Sequence, residues 1–142
     1  MSAFKFDLQK VLNVRNIEED MAQNKFLKAK EEKKEIEKSL ENLKETKKDV
    51  HRYIRNNSSV EQILHARRFL QKHDEKIENH QQKLSAKKRE VTEKQKEMLA
   101  KQKKRKVLDK LKERKYKTFY KEKIKDQQKE LDEIAQHEGE ER

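Results

Sequence analysis

The chain has no cysteine, no proline and no tryptophan, and its single glycine, Gly139, lies near the end. Without cysteine there is no disulfide framework and no thiolate metal site. Without proline or interior glycine nothing in the backbone interrupts a helix. One glycine also cannot build a phosphate-cradling loop, which excludes the common nucleotide-binding motifs. No apolar run reaches membrane-spanning length, and the first residues lack a signal-peptide pattern. These absences lead us to expect a soluble cytoplasmic protein, peripheral to a membrane at most.

What is present is charge. Of 142 residues, 47% are charged and 30% hydrophobic. That is too little apolar surface to fill a globular core of ordinary size. The same polarity would suit a disordered chain, but the apolar residues that remain are ordered by a strict period. Ile63, Leu70, Ile77, Leu84, Val91 and Met98 fall seven apart, and the series stops at Arg105. A seven-residue apolar repeat lines one seam of a coiled-coil helix, and that seam needs a cover. Upstream, Ala22, Ala29, Ile36, Leu43 and Val50 form a second such series.

The two series mirror each other about the bond between Asn56 and Asn57. Val50 falls opposite Ile63, Leu43 opposite Leu70, Ile36 opposite Ile77, Ala29 opposite Leu84 and Ala22 opposite Val91. An antiparallel hairpin requires this mirror, and a parallel dimer of one helix does not. The expected fold is therefore all-α: a single domain over 1–142 made of two long helices in an antiparallel coiled-coil hairpin. Helix one covers about 4–55, the turn about 56–59, helix two about 60–137, and a polar tail 138–142.

The first arm carries a second, mixed seam row: Phe26, Lys33, Leu40, Lys47 and Ile54. Lysines at core-type positions lower stability and help fix register. In the turn, Asn57 suits the left-handed conformation that ends many helices. Ser58 followed by Glu61 fits a capping box. Mirrored pairing runs out near residue 110, so the last 27 or so residues of helix two, about 40 Å long, are expected to overhang without an intramolecular partner. They hold Leu111, Tyr116, Phe119, Tyr120, Ile124, Leu131 and Ile134. Unburied aromatics are a liability on a lone helix, and they point to a docking surface.

Charge is also segregated. Between Ser85 and Lys125 there are 18 Lys and Arg against 6 Asp and Glu, a local excess of +12 in a chain whose total is +11. Such a segment attracts acidic protein, nucleic acid or anionic lipid. His73 and His80 share one helical face close to the seam, with no carboxylate at ligand spacing, so no metal site is expected. Paired carboxylates occur throughout and carry no information about acid–base chemistry. The reading is of a protein without catalytic residues or cofactors.

The opening Phe4-Lys-Phe-Asp-Leu-Gln-Lys-Val-Leu12, then Arg15 and Glu18-Glu19, resembles the start of the FliJ family of flagellar export proteins. The stretch Leu108-Asp-Lys-Leu111-Lys-Glu-Arg-Lys-Tyr116, followed by Gln127-Gln-Lys-Glu-Leu131-Asp-Glu-Ile-Ala135, is similar to that family's C-terminal pattern. The resemblance covers nearly the whole chain. It implies a hairpin similar to the γ stalk of rotary ATPases, acting in flagellar type III protein export and so in flagellum assembly and motility. The joined termini would enter the ring of the export ATPase FliI, which works with FliH, and promote its assembly. Phe4, Leu8, Leu12, Leu111, Tyr116, Phe119 and Tyr120 would face the ring. A face near the turn, Phe69, His73, Lys76 and His80, would meet the export-gate protein FlhA. His73 and Lys76 there replace smaller or apolar residues of the family pattern. The resemblance also implies escort of export chaperones and a peripheral place at the flagellar base, reached through these partners.

Other readings compete. A basic coiled coil could bind nucleic acid, but basic regions that enter a groove are usually continued by a parallel dimeric zipper, and here they overlap a hairpin seam. A tether held to membrane by lysines, and the stalk of an injection-type secretion system, complete the alternatives.

Overall fold

The computed structural model of the protein describes residues 3–56 and 59–140. It is a helical hairpin of two elements, α1 (Gln9–Asn56) and α2 (Val60–Glu140), of 48 and 81 residues. Lys and Glu are the commonest residues of both, and long unbranched side chains like these lose little on entering a helix. No described non-glycine residue has positive φ. The expected apex residue Asn57, Ser58 of the expected capping box and the last two tail residues lie outside the described residues. At the start of α2 the Ser59 carbonyl accepts the Ile63 N–H at 3.0 Å. Ser59 thus stands at the N-cap position, with Glu61 in the first turn near the positive end of the helix dipole. The helix runs further than expected at its far end, through Gly139 to Glu140. It begins later at its near end: residues 3–6 are not helical and α1 starts at Gln9.

The chain packs as two compact units, Met21–Leu99 and Met1–Asp20 with Ala100–Arg142. In the first of these, both seam rows of α1 are covered, the lysines only in part. Ala22, Ala29 and Leu40 are buried, and Phe26, Lys33, Ile36, Leu43, Lys47, Val50 and Ile54 are half-buried. From α2 the apolar series Leu70 and Ile77 is buried, with Ile63, Leu84, Val91 and Met98 half-buried. A second α2 row, hidden in the sequence by its polarity, lies beside it: Ala66 and His73 are buried, and His80, Lys87 and Lys94 are half-buried. Each helix thus offers two rows at alternating steps of three and four, the spacing of a coiled-coil seam.

The register differs from the mirror about 56 and 57. The His73 ring bonds the Leu43 backbone carbonyl at 2.6 Å, so His73, not Leu70, stands level with Leu43. α1 ends at Asn56 and α2 begins at Val60, which moves the mirror centre from between 56 and 57 to position 58. Heptad steps from Leu43 and His73 set Val50 level with Ala66, which share one groove. Between these heptad levels the other two rows meet: Leu40, three residues before Leu43, falls beside Ile77, four after His73, 6% and 9% exposed. The central layer is therefore Leu40 with Ile77, not Ile36 with Ile77. Ion pairs lie beyond these levels because both side chains of an antiparallel pair lean toward their own N-termini. Lys47 meets Asp74 at 2.7 Å and Lys87 meets Glu32 at 2.5 Å.

The Lys87 ammonium, shared between Glu32 and Glu90, sits in the seam row with its stem covered. Its hydrogen bond and charge hold the Glu32 carboxyl below its ordinary value of 4.5. Glu32 first, then Glu90, push Lys87 above its ordinary 10.5. A folded carboxylate value below the unfolded one stabilises the fold above pH 4.5, and that contribution is lost as pH falls through the lowered value. A raised lysine works in the opposite sense, stabilising below pH 10.5 and lost as pH climbs through the raised value. Thermal unfolding followed by circular dichroism is expected to show a plateau between these limits and a fall on both sides. Glu32→Gln should lower the plateau and flatten part of the acid limb. An unchanged acid limb would show that this pair contributes nothing to it.

Candidate functional site

Two patches carry the residues singled out in the sequence, one in each unit. In the terminal unit, the stretch before α1 is short of helix and rich in apolar side chains. A turn bond from the Gln9 N–H to the Phe6 carbonyl, 3.0 Å, and one from the Leu12 N–H to the Leu8 carbonyl, 2.9 Å, start the helix. Ahead of them Phe4 lays its ring against α2. It meets Tyr116 edge-on at 5.3 Å and 81°, and Phe119 at 5.6 Å and 51°. Such tilted aromatic pairs gain energy beyond the area they bury. Tyr116 and Tyr120 stack along α2 at 6.4 Å. Between the 3–8 stretch and α2 runs a groove of about 900 Å³, lined by Phe4, Phe6, Leu8, Leu111 and Phe119 with basic Lys5 and Arg114 at its edges.

The structure gathers most of the expected ring-facing residues at this end. Phe4, Leu111 and Phe119 are half-buried, and Leu8, Tyr116 and Tyr120 are exposed. Leu12 differs. It is 3% exposed, packed inside the unit, and supports the end rather than presenting itself at its surface. The expected overhang is also shorter. α2 has an intramolecular partner as far as Phe119 and Glu122, because non-helical residues 3–8 reach further along it than a helix would. Only from Ile124 onward is every described side chain exposed.

Within the terminal unit Arg105, where the apolar series ends, holds α1 to α2 by ionic contacts. The Arg105 guanidinium donates to Glu19 through Nε and, at 3.3 Å, through Nη2, and to Asp109 through Nη1 at 2.6 Å. Glu19 first and Asp109 second hold it more firmly protonated than an ordinary arginine. One turn away Arg15 donates to Glu18 at 3.1 Å and Lys101 pairs with Glu18 at 3.5 Å. These bonds, the Arg15 hydrogen bond foremost, keep Glu18 below its ordinary value. Sequence reasoning ended the series at Arg105 because it counted only apolar residues. The signal was the heptad itself: Arg105 continues the row of Leu70 and Ile77, and Glu19 continues the row of Phe26 and Leu40.

In the other unit, Phe69 and His73 stack at 5.2 Å and 21°. His73 is 5% exposed, and its Nε2–H is used on the Leu43 carbonyl. Phe69 keeps nearly half its surface exposed and borders a groove of about 510 Å³ with Val50, Tyr53, His65 and Ala66. Lys76 is exposed, and its carbonyl accepts the His80 Nδ1–H at 2.9 Å, leaving His80 half-buried. So the four residues expected to meet an export gate divide. Phe69 and Lys76 are open, His80 is partly covered, and His73 is buried.

Among the described residues no group of three His, Asp or Glu side chains is placed to hold a metal ion. No described helix is long and apolar enough to cross a membrane. Two long helices, a seam that mixes aliphatic and ionic layers, and an aromatic end define a charged coiled-coil hairpin. Residues 4–141 match the family model described as flagellar FliJ protein, and the chain belongs to that family, which implies a role associated with flagellar export. No curated protein and no solved structure matches it.

Proposed function

We propose that the chain docks its aromatic end in the ring of the export ATPase FliI, promotes assembly of that ring with FliH, and couples it to the export gate FlhA from a peripheral position at the flagellar base. The observation that carries this reading is the clamp of Phe4 on Tyr116 and Phe119. It ties the N-terminal stretch to α2 and leaves Leu8, Tyr116 and Tyr120 as open apolar surface beside basic Lys5 and Arg114. Aromatic anchors with arginine beside them are the composition of protein–protein hot spots. Phe69 and Lys76 are the open residues for the gate, and the same hairpin is the surface that would escort chaperones.

The test is a pull-down with the ATPase that also reads ATP hydrolysis. Leu8→Asp changes an exposed groove residue, so it should lower binding at least tenfold with helicity unchanged. Binding that resists moderate salt and raises hydrolysis supports the docked end. Full binding by Leu8→Asp would remove the groove from the contact. Binding that vanishes in modest salt, with retention on DNA at low salt, would favour the nucleic-acid reading, because phosphate contacts weaken steeply with salt.

A further inference from the structure

The C-terminal part of α2 carries an apolar stripe that α1 leaves open and that the N-terminal stretch touches only at Tyr116, through the edge of the Phe4 ring. Tyr116, Tyr120, Ile124, Gln127, Leu131 and Ile134 follow steps of four and three. At about 100° per residue these six positions fall within an arc of about 80°. The groove residues Leu111, Lys115, Thr118 and Glu122, where the 3–8 stretch lies, are on the opposite side. All six stripe residues are exposed, Leu131 by 65%.

Two properties of this stripe identify its cover. First, it reads nearly the same in both directions about the point between Lys125 and Asp126. Reversal sets Ile124 level with Gln127, Tyr120 with Leu131 and, to within one residue, Tyr116 with Ile134. Second, charge changes sign at that point. From 115 to 125 stand Lys115, Lys117, Lys121, Lys123 and Lys125 against the single Glu122; after the point stand Asp126, Glu130, Asp132, Glu133 and Glu138, with Lys129 the one lysine among the described residues. A partner whose stripe runs antiparallel therefore brings large aliphatic residues to tyrosines and an acidic half to a basic half. A parallel partner would set like charge on like charge.

We propose that the stripe Tyr116–Ile134 pairs antiparallel with the same stripe of a second copy of this chain. The contact is isologous, so each half contributes once to each end and the pairing closes at two copies. It shares Tyr116 and Tyr120 with the proposed ring-docking end, so pairing and full docking compete, while Leu131 and Ile134 belong to the pairing alone.

The absence of cysteine makes the geometry directly testable. Full-length Tyr120→Cys and Leu131→Cys chains should form a disulfide when mixed and oxidised. Neither should cross-link alone, because equivalent residues then stand about eleven positions apart, roughly 16 Å, too far for a disulfide. Sedimentation equilibrium of the unmodified chain should show a dimer that weakens with added salt. Leu131→Glu should raise its dissociation constant at least tenfold while ring binding survives. A chain that stays monomeric at every concentration reached would overturn the proposal. So would either cysteine variant cross-linking alone as readily as the mixture, since that is the signature of parallel pairing. Loss of ring binding in Leu8→Asp with the dimer intact tests the docking end separately.

Discussion

Aspartate in place of Ile77 is expected to abolish cooperative thermal unfolding of the hairpin at neutral pH. Ile77 is 9% exposed and level with buried Leu40. Removing its side chain costs about 2–5 kcal/mol through lost burial and the cavity left. Desolvating an unpaired carboxylate adds to that, and marginal domains hold only about 5–15 kcal/mol in total. The seam does accept charge at Lys33, Lys47 and Lys87, but those side chains are long enough to carry the ammonium out to Glu37, Asp74 and Glu32. Aspartate is too short to escape. The neighbouring Lys76→Asp, on an exposed position, should change stability by less than about 0.5 kcal/mol. If circular dichroism found Ile77→Asp as helical and as stable as the unmodified chain, the layer of Leu40 with Ile77 would be wrong.

The second large effect is expected at Leu12. Leu12→Asp should open the terminal unit, so that binding to the ATPase ring is lost together with helicity at the start of α1. Leu12 is 3% exposed, so a carboxylate there loses its water, and Arg105 is already taken by Glu19 and Asp109. Leu8→Asp, four residues earlier and exposed, should lose binding without losing helix. Hydrogen exchange resolved along the sequence distinguishes the two, with protection lost around residues 9–19 in Leu12→Asp alone. Equal protection in both variants would mean that Leu12 does touch the partner directly.

How far the sequence could be read depends on which residues marked the seam. The apolar rows were legible because a strict interval of seven survives inspection, and so was the hairpin they imply. The second row of α2 was not. Ala66, His73, His80, Lys87 and Lys94 look like surface until the rows of α1 are set against them. The register erred by a small amount for that reason: the mirror set the apolar row of α1 against the apolar row of α2, whereas Val50 and Leu43 face the hidden row of Ala66 and His73. At the termini, residues 3–6 have no helix breaker, so they read as helix, yet Phe4 gains more by laying its ring on Tyr116 and Phe119 than a helix start would give. The gathering of Phe4, Leu111, Tyr116 and Phe119 was therefore anticipated, but by way of a longer helix that does not exist.

The His73 bond to Leu43 also says something about how the hairpin comes together. It joins residues 30 apart, whereas Lys87 and Glu32 are 55 apart and Arg105 and Glu19 are 86 apart. Closing a flexible loop costs more as it lengthens, though only slowly. Once the short closure at Leu43 has formed, each further layer needs only the next turn of two helices already side by side. Folding is then expected to run like a zip fastener from the connection outward, at the fast end of the range for its length. The histidine pin, by admitting only one level for Leu43, decides at the first tooth which of the possible seven-residue slips all the later teeth must follow.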